Sequence, residues 1–424
     1  MNVLLVTFGS RGDVQPFVAL GKGLQDRGHR VTVCTCSRFE SFITDFGLDY
    51  GYASNDLLDL MDSDAGRDAM ENTTGVFGAI ATTIKLMKDA KSINRQLLED
   101  SWTVAQAANP DMIIFHPKVL GGLLIAEKLD IPAAMAVPCP MLVPTAERPT
   151  IGFPNLPLGP GYNRLTYKLV QMGYRSYGGM VDEFRQDVLG LEKWPQSSGV
   201  LRSADNRPIP ILHFYSTAVV PRPQDWPDCA RITGYWFLDS AEPWEPSAAL
   251  KAFLDRPDSP VYIGFGSMAG RDPARVAQIA IAALQKAKLR GIIATGWGGL
   301  DPGELPDTIF KIDSAPHAAL FPHVSAVVHH GGAGTTAAGL RAGCPTIVCP
   351  FFGDQPFWGE CVRELGVGIK PIPQKQLTVE KLASALTEVA TNPTIRQKAK
   401  ALSDRIRRED GIGNAIAIIE NLYS

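Results

Sequence analysis

The sequence predicts an α/β protein with two parallel, doubly wound sheets, one in each half of the chain. Three observations lead to this prediction. Buried-strand patterns alternate with helical patterns in the first half, the alternation restarts after a proline-rich stretch, and 424 residues exceed what one ordinary core needs. The architecture therefore repeats, although the sequence itself contains no detectable repeat.

In the first half, four apolar runs predict buried strands: "VLLVTF", "RVTVCT", "DMIIFH" and "AAMAVP". The helical pattern "VALGKGLQDRG" follows the first strand and ends at Gly28. Residues 151–161, "IGFPNLPLGPG", are dense in proline and glycine and predict a loop. Leu165, Leu169 and Met172 then recur at helix spacing, which ordinary core packing explains in most such cases and an apolar pocket explains as the alternative.

The second half begins after residues 219–246, where many prolines interrupt the periodicity and indicate a linker. Five strand patterns follow: "PVYIGFGS", "RGIIATGW", "IFKIDS", "AVVHHGG" and "PTIVCPF". We therefore expect a first domain over 1–218, a second over 247–405 and a final helical segment over 406–424.

Composition and charge exclude several classes of protein. A net charge of −3 and a pI near 6.2 give no basic footprint, so nucleic acid is not an expected partner. The seven cysteines follow no metal or redox spacing, which fits a reducing compartment. No leader pattern and no apolar run of about 18 residues is apparent. We expect a cytoplasmic protein, or one peripheral to a membrane, that binds small molecules.

The loop "GSRGDVQPF" follows the first strand, where a dinucleotide cofactor would bind. It lacks the G-x-G-x-x-G pattern, and the second strand ends in Cys36 and Ser37 instead of an acidic residue. An NAD-dependent oxidoreductase is therefore disfavoured. The loop offers a carboxylate, Asp13, for chemistry, and the alternative is that Asp13 caps a helix beginning near Val14.

The stretch "HHGGAGTT" lies between a predicted strand and a predicted helix, so free backbone N–H groups would point toward an anion there. Small residues let phosphate oxygens approach the backbone, while a histidine and a threonine add hydrogen bonds. The residues concerned are His329, Gly331, Gly332, Ala333, Gly334 and Thr335. Asp354 and Gln355, in the next strand-end loop, can grip paired sugar hydroxyls. The alternatives are a glycine-rich turn with two packed histidines and a plain surface turn.

Residues 314–368 resemble the nucleotide-sugar signature of the UDP-dependent glycosyltransferase superfamily. The most similar subgroup is the sterol 3-β-glucosyltransferases, through "GSRGDVQPFVALGKGL", "GYWFLD", "VYIGFGSM" and "GWGGL". Bacterial antibiotic glycosyltransferases look similar at the same places. The resemblance implies a GT-B fold, with two Rossmann-like doubly wound domains facing a cleft, and an inverting transfer that requires no metal. It also implies that 1–218 binds the acceptor, that 247–405 binds the nucleotide sugar, and that 406–424 returns to the first domain.

The resemblance also implies individual roles in donor binding. His329 becomes a phosphate ligand, assisted by Thr335 and the backbone of 331–334, and Asp354 with Gln355 binds the sugar hydroxyls. Ser267 faces the diphosphate, Ala315 precedes the segment that meets the base, and Trp297 either walls the nucleotide or packs on glycines. Ser314 stands where many plant relatives have tryptophan, and Ala337 where they have glutamate. UDP is the preferred nucleotide and TDP stays open.

At the first loop, the subgroup has an aspartate as general base, and Asp13 matches it. His116, at the end of "DMIIFH", either orients Asp13 or the acceptor or is structural, and Met141 is a candidate acceptor contact. We expect transfer of glucose from UDP-glucose to a lipophilic alcohol, a sterol or related polycycle, with transient membrane contact to collect it. The alternatives are an antibiotic-type enzyme acting on a polyketide or macrolide aglycone, and a nucleotide-sugar-binding protein that has no use for Asp13.

Overall fold

The computed structural model describes residues 1–63, 78–195, 199–239, 244–266, 272–295 and 305–423, with backbone alone for 78–90. The chain divides into two compact units. Unit 1 comprises Met1–Thr217, Pro221–Leu238 and Asp410–Ser424, and unit 2 comprises Ala218–Val220 and Asp239–Glu409. Of the expected linker, residues 221–238 are grouped with unit 1.

Unit 1 contains a seven-stranded parallel sheet in the order β3-β2-β1-β4-β5-β6-β7. Its strands are β1 (Asn2–Val6), β2 (Arg30–Cys36), β3 (Asp49–Ala53), β4 (Met112–Phe115), β5 (Ala133–Val137), β6 (Ile211–His213) and β7 (Ala230–Ile232). The helices in its first segment, Met1–Thr217, are α1 (Arg11–Asp26), α2 (Glu40–Thr44), α3 (Asp56–Asp62), α4 (Gly78–Ala108), α5 (Gly122–Leu129), α6 (Gly159–Arg175) and α7 (Gly178–Phe184).

Unit 2 contains a five-stranded parallel sheet in the order β10-β9-β8-β11-β12. Its strands are β8 (Val261–Gly264), β9 (Gly291–Ala294), β10 (Ile309–Ile312), β11 (Ala326–His329) and β12 (Thr346–Val348). Its helices are α8 (Ala248–Leu254), α9 (Pro273–Ala287), α10 (His317–Leu320), α11 (Ala333–Ala342), α12 (Gln355–Leu365), α13 (Val379–Thr391) and α14 (Pro393–Ile406). Two separate apolar clusters include residues of these strands. One cluster also contains residues of α9 and α13, and the other contains residues of α8 and α10.

The nine strands predicted from apolar runs are all present, with bounds that differ by a few residues. The sequence patterns did not predict β3, β6 and β7, because β6 and β7 have only three residues each and β3 is half exposed. β7 lies within the stretch expected to be a linker, where the prolines around it hide its pattern.

The two sheets share one order, since the first strand of each lies between the second and the fourth. In such a sheet the strand order reverses beside the first strand, and the loops at the carboxyl ends of the first and fourth strands meet there. In unit 1 these loops follow Val6 and Phe115, which are register partners. In unit 2 they follow Gly264 and His329, which are also register partners. Each unit therefore has one such candidate site.

The last helix, α15 (Gly411–Tyr423), belongs to unit 1 and packs against α1. Gly23 lies so close to Ile412 that any larger residue at position 23 would collide with it. The Asn414 amide donates to the backbone oxygen of Thr233 at 2.9 Å, and His29 pairs with Glu420 at 3.1 Å. Contacts across nearly 400 positions of sequence thus close unit 1.

Among the residues that the structure describes, no helix has the length and apolar content to cross a lipid bilayer.

Candidate active site

Asp13 lies in the first turn of α1, at the carboxyl end of β1. The helix begins at Arg11 with Ser10 as its N-cap, so it starts earlier than the sequence predicted and Asp13 is not the N-cap. Asp13 Oδ2 accepts the Ser10 backbone N–H at 2.8 Å and the Ser10 hydroxyl at 3.1 Å. This capping-box bond fixes one carboxylate oxygen and leaves Oδ1 for other partners.

Oδ1 of Asp13 faces two residues that follow β4. Lys118 Nζ donates to it at 2.8 Å, and His116 Nε2 lies 3.6 Å from it. The Lys118 backbone N–H donates to His116 Nδ1 at 3.2 Å, so Nε2 carries the ring proton and points toward the carboxylate. The fold therefore brings Asp13 and His116 together, because β1 and β4 are paired and each residue follows one of these strands.

The charges around Asp13 decide its protonation state. Burial by itself would raise the pKa of Asp13, but the Lys118 ammonium, His116 and the hydrogen bonds from Lys118 and Ser10 together hold that pKa below its usual value. Burial lowers the pKa of His116 to about 3, against the opposing effect of Asp13. At neutral pH Asp13 is thus a carboxylate and His116 is a neutral imidazole.

Gly9 makes this cluster possible. Its φ is +132°, in the region that glycine alone adopts readily, and a Cβ there would collide with the Asp13 carboxylate and lie 2.9 Å from Lys118 Nζ. The backbone therefore passes directly beside the carboxylate because residue 9 has no side chain.

Met141 lies in the loop after β5, the neighbour of β4 in the sheet. Its side chain is half-buried, and its backbone oxygen accepts the Thr150 hydroxyl at 2.5 Å. The Met141 side chain therefore lies on the same edge of the unit 1 sheet as Asp13, within a loop held by a hydrogen bond.

The predicted anion cradle in unit 2 has the expected backbone geometry. Gly332 is the N-cap of α11, and the first intrahelical bond runs from the Thr336 N–H to the Gly332 oxygen at 2.9 Å. Among the described residues, the N–H groups of Ala333, Gly334 and Thr335 have no backbone acceptor. Gly334 is exposed, with open space where a Cβ would stand. These N–H groups form the positive end of α11.

The two histidines before the cradle differ in environment. His329 ends β11, is fully buried, and uses Nδ1 to accept the Gly331 N–H at 2.9 Å. His330 is partly exposed, and a Cβ on Gly332 would lie only 2.6 Å from its Nε2. A Cβ on Gly266, in the β8 loop, would lie 3.5 Å from the His330 ring. His330 therefore lies between the two loops and beside the start of α11.

Both histidines are neutral near pH 7. Burial lowers the pKa of His330 to about 4, with a further contribution from His317. Burial also lowers the pKa of His329 far below its usual value. Either ring can therefore act on an anion only as a neutral N–H donor, unless the anion itself raises the pKa.

Asp354 and Gln355 lie at the start of α12, beside the glycine turn. Gly331 has a φ of +95°, and a Cβ there would lie 3.0 Å from the Gln355 backbone oxygen and 2.6 Å from Val348. Asp354 Oδ2 accepts the Trp358 indole N–H at 2.8 Å, and Gln355 Oε1 accepts the Phe351 N–H at 2.8 Å. Gln355 is 5% exposed, so its side chain holds its own loop in this structure.

Four other residues were predicted to contact the donor, and the structure describes two of them. Ala315 is half-buried and packs against the cluster formed with α8 and α10. Thr335 is half-buried in the first turn of α11. Ser267 and Trp297 lie outside the described residues. No group of three or more His, Cys, Asp or Glu side chains among the described residues could hold a metal ion.

Sequence reasoning did not single out Lys118 or His330. Lys118 follows the histidine at the end of β4, so its place beside the first loop could have been inferred from the sheet order. His330 is the first residue after β11, where a side chain leaves the sheet, whereas His329 still belongs to the strand. If the sequence pattern had placed the end of β11 at His329, it would have assigned His329 to the strand and His330 to the loop.

Comparison with known proteins gives the class. Residues 3–146 match the model of the glycosyltransferase family 28 N-terminal domain, and residues 292–410 match the C-terminal domain of the erythromycin biosynthesis protein CIII-like model. The chain aligns over 99% of its length with the solved calicheamicin glycosyltransferase CalG4, at a TM-score of 0.72, 19% identity and 98% of that chain. The glycosyltransferase of kitacinnamycin gives 0.71 and 20%, with 99% and 98% of the two chains covered. The chain belongs to the family 28/EryCIII-like glycosyltransferases that the two family models describe. Its two parallel-sheet domains have the predicted GT-B fold class.

Within this class, the similar curated proteins are sterol 3-beta-glucosyltransferases. The chain is 39% identical to one from Aspergillus terreus over 436 residues, which cover 99% of the chain and 30% of the relative. It is 38% identical to one from Arabidopsis thaliana over 430 residues, which cover 98% of the chain and 64% of the relative. The chain thus spans from about a third to about two thirds of the length of these relatives.

Proposed function

We propose that this protein transfers glucose from UDP-glucose to the hydroxyl of a sterol or related polycyclic alcohol, with inversion at the anomeric carbon. The observation that carries the proposal is the Asp13 carboxylate, which is ionised and mostly buried and has only side-chain partners on Oδ1. The sterol is favoured because the relatives that align with 98–99% of the chain at 38–39% identity are named for it.

Asp13 acts as the general base in this proposal. A sterol hydroxyl is a weak nucleophile, so its proton must leave as the new C–O bond forms. The acceptor oxygen attacks the anomeric carbon, the bond from that carbon to the β-phosphate oxygen breaks, and the hydroxyl proton passes to Asp13 Oδ1. His116 keeps its Nε2–H toward the same oxygen and thereby stabilises the orientation of the carboxylate.

Unit 2 binds the donor in this proposal. The open N–H groups of residues 333–335 meet the diphosphate, whose negative charge grows as it leaves. His330 suits the role of phosphate ligand better than His329, because it is partly exposed and its Nε2 lies beside the start of α11. His329 then supports the turn through Gly331. Thr335 adds a hydroxyl, and Ser267, Ala315 and Trp297 keep the nucleotide contacts that the resemblance implies.

The sugar is the proposed ligand of Asp354 and Gln355. Asp354 is half-buried at the start of α12, and its Oδ2 accepts the Trp358 indole N–H, which orients the carboxylate. Gln355 holds the Phe351 N–H, which makes it a ligand only through its amide nitrogen or after a side-chain rotation.

A lipophilic acceptor resides in membranes, so we also propose that the protein contacts a membrane transiently to collect it. Met141, on the unit 1 edge that carries Asp13, is the proposed contact for the acceptor ring system. An apolar pocket discriminates poorly between similar hydrocarbons, and several sterols should therefore be accepted.

The test is a competition among cholesterol, a macrolide aglycone and a small flavonoid at equal concentration, with UDP-glucose and, in parallel, a TDP-sugar. Mass spectrometry identifies the products. A sterol glucoside formed from UDP-glucose in clear excess is expected. Preference for the macrolide with no sterol glucoside would replace the proposal with the antibiotic-type activity, and nucleotide binding without any transfer would indicate a binding protein.

A further inference from the structure

Helix α6 of unit 1 carries an apolar face that nothing in the described structure covers. Among the side chains that the structure describes, seven large apolar ones are strongly exposed, and five of these lie between residues 156 and 172. On α6 these are Leu165, Leu169 and Met172, which are 51%, 45% and 61% exposed, and Leu158, 64% exposed, lies directly before the helix. Core packing, one explanation that the sequence allowed, is wrong for these residues.

The apolar residues form one stripe. With 3.6 residues per turn, Leu165, Leu169 and Met172 stand above one another on the helix surface. The opposite side of α6 is buried through Asn163, Thr166 and Tyr167. The stripe therefore faces away from unit 1. Single exposed leucines are ordinary on protein surfaces, but a contiguous stripe indicates a surface that meets another partner.

A row of positive charge runs beside the stripe. Arg164, Lys168 and Arg175 are all exposed and fall on the same flank at this helical repeat, and α6 contains no acidic residue. Arg164 is partly neutralised by Asp225 at 3.4 Å. No ion pair to Lys168 or Arg175 occurs among the residues described. The row thus presents two uncompensated charges next to four exposed apolar side chains.

We propose that this face, formed by Leu158, Leu165, Leu169, Met172, Lys168 and Arg175, docks onto the surface of an anionic phospholipid bilayer. A helix with an apolar stripe and a basic flank lies in the interfacial plane, where the apolar side chains enter the acyl boundary and the charges meet lipid phosphates. The net charge of −3 makes the basic row a local feature and gives the docking a defined orientation.

The inference deepens the membrane contact proposed above by naming its surface, but its test needs neither donor nor acceptor. Wild-type protein is sedimented with vesicles of phosphatidylcholine alone and with vesicles containing phosphatidylserine. Binding is expected to the anionic vesicles and much less to the neutral ones. The combined substitution L165S/L169S/M172S should weaken binding roughly tenfold or more. K168E/R175E should weaken it by at least about fivefold for each charge removed.

Y52S is the matched control, because Tyr52 is 57% exposed on unit 1 but lies outside the face. It should bind as the wild type does, and thermal melting should show all variants equally folded. Equal binding by wild type and L165S/L169S/M172S would overturn the inference, as would wild-type binding that does not depend on anionic lipid. Sedimentation velocity without vesicles provides one further outcome. A wild-type dimer that this triple substitution converts to a monomer, with no vesicle binding, would overturn the inference in favour of a second copy of the chain.

Discussion

Units 1 and 2 have the same strand order and a similar histidine at the same strand end, yet their chemistry differs. His116 and His329 each use Nδ1 to accept the backbone N–H two residues later, at 3.2 Å and 2.9 Å. In unit 1 the Nε2–H then faces a carboxylate, Asp13. In unit 2 the loop after the first strand contains Gly266, and His330, the residue after His329, lies beside the N-terminus of α11.

In both units the sheet determines where the site lies, and the residues of the two loops at that edge determine what the site does. A carboxylate beside the first strand suits the removal of a proton. Glycines beside it leave backbone N–H groups open to an anion. The proposed division of labour, base in unit 1 and donor grip in unit 2, predicts that substitutions in the two units change different measured quantities.

The largest effect is expected for Asp13→Asn. It should lower kcat by about 10²–10⁴-fold, the usual loss for a general base. Affinity for UDP, measured by calorimetry, should not change. Asn still accepts the Ser10 N–H, and the lost pair with partly exposed Lys118 should cost less than about 1 kcal/mol of stability. Normal turnover per folded molecule, with an early melting transition, would reduce Asp13 to a helix-capping residue.

The next effect concerns the paired histidines of unit 2. His330→Ala should weaken UDP binding by roughly 1.5–3 kcal/mol, the value of a hydrogen bond to a charged group. His329→Ala should instead destabilise unit 2, because it leaves a cavity and the buried Gly331 N–H without its acceptor. Calorimetry and thermal melting of both variants separate the two roles. Weaker UDP binding by a normally stable His329→Ala would restore His329 as the ligand.

The charge of Lys118 should set the lower end of the pH range in which Asp13 is ionised and the protein is active. It is part of what holds the pKa of Asp13 below its usual value, whereas burial acts in the opposite direction. In Lys118→Met the pKa of Asp13 should rise, so the carboxylate becomes protonated, and kcat/KM falls, at a higher pH than in the wild type. Lys118→Arg keeps the charge and is the control. Superimposable pH profiles for wild type and Lys118→Met would show that Lys118 has no influence on the base.

The smallest effects come from two glycines of the unit 2 turn. Gly331→Ala should cost more than about 1 kcal/mol, because φ is +95° and the new Cβ would crowd Val348 and Gln355. Gly334→Ala meets no atom within 4 Å and should change stability by no more than about 1 kcal/mol, in the favourable direction. Chemical denaturation of both measures the difference. Equal stability would mean that the turn does not need the Gly331 conformation.

The sequence predicts the sheets well because parallel strands, buried on both faces, appear as apolar runs. It also predicts that Asp13 and His116 share one edge, since both follow neighbouring strands. It does not single out Lys118 as a partner of Asp13, because Lys118 lies 105 positions away in sequence and its place depends on the pairing of β1 with β4. Likewise, "HHGG" indicates an anion site, but a pattern of letters does not distinguish a fully buried histidine at the strand end from the partly exposed one beside it.

The same limit applies to α6. Leu165, Leu169 and Met172 predict a helix with an apolar face, and that helix is present. Helix spacing is identical for a face that packs on the core and for one that meets a different partner. The exposure of the side chains, which depends on the whole fold, decides between them.

The central claim is a single displacement in which Asp13 removes the proton and UDP leaves from the opposite face of the sugar. The most direct measurement is the anomeric configuration of the product, determined by NMR after incubation of the wild type with α-linked UDP-glucose and cholesterol. The account predicts a β-glucoside from the wild type and almost none from Asp13→Asn. An α-glucoside, or equal product from both proteins, would contradict it.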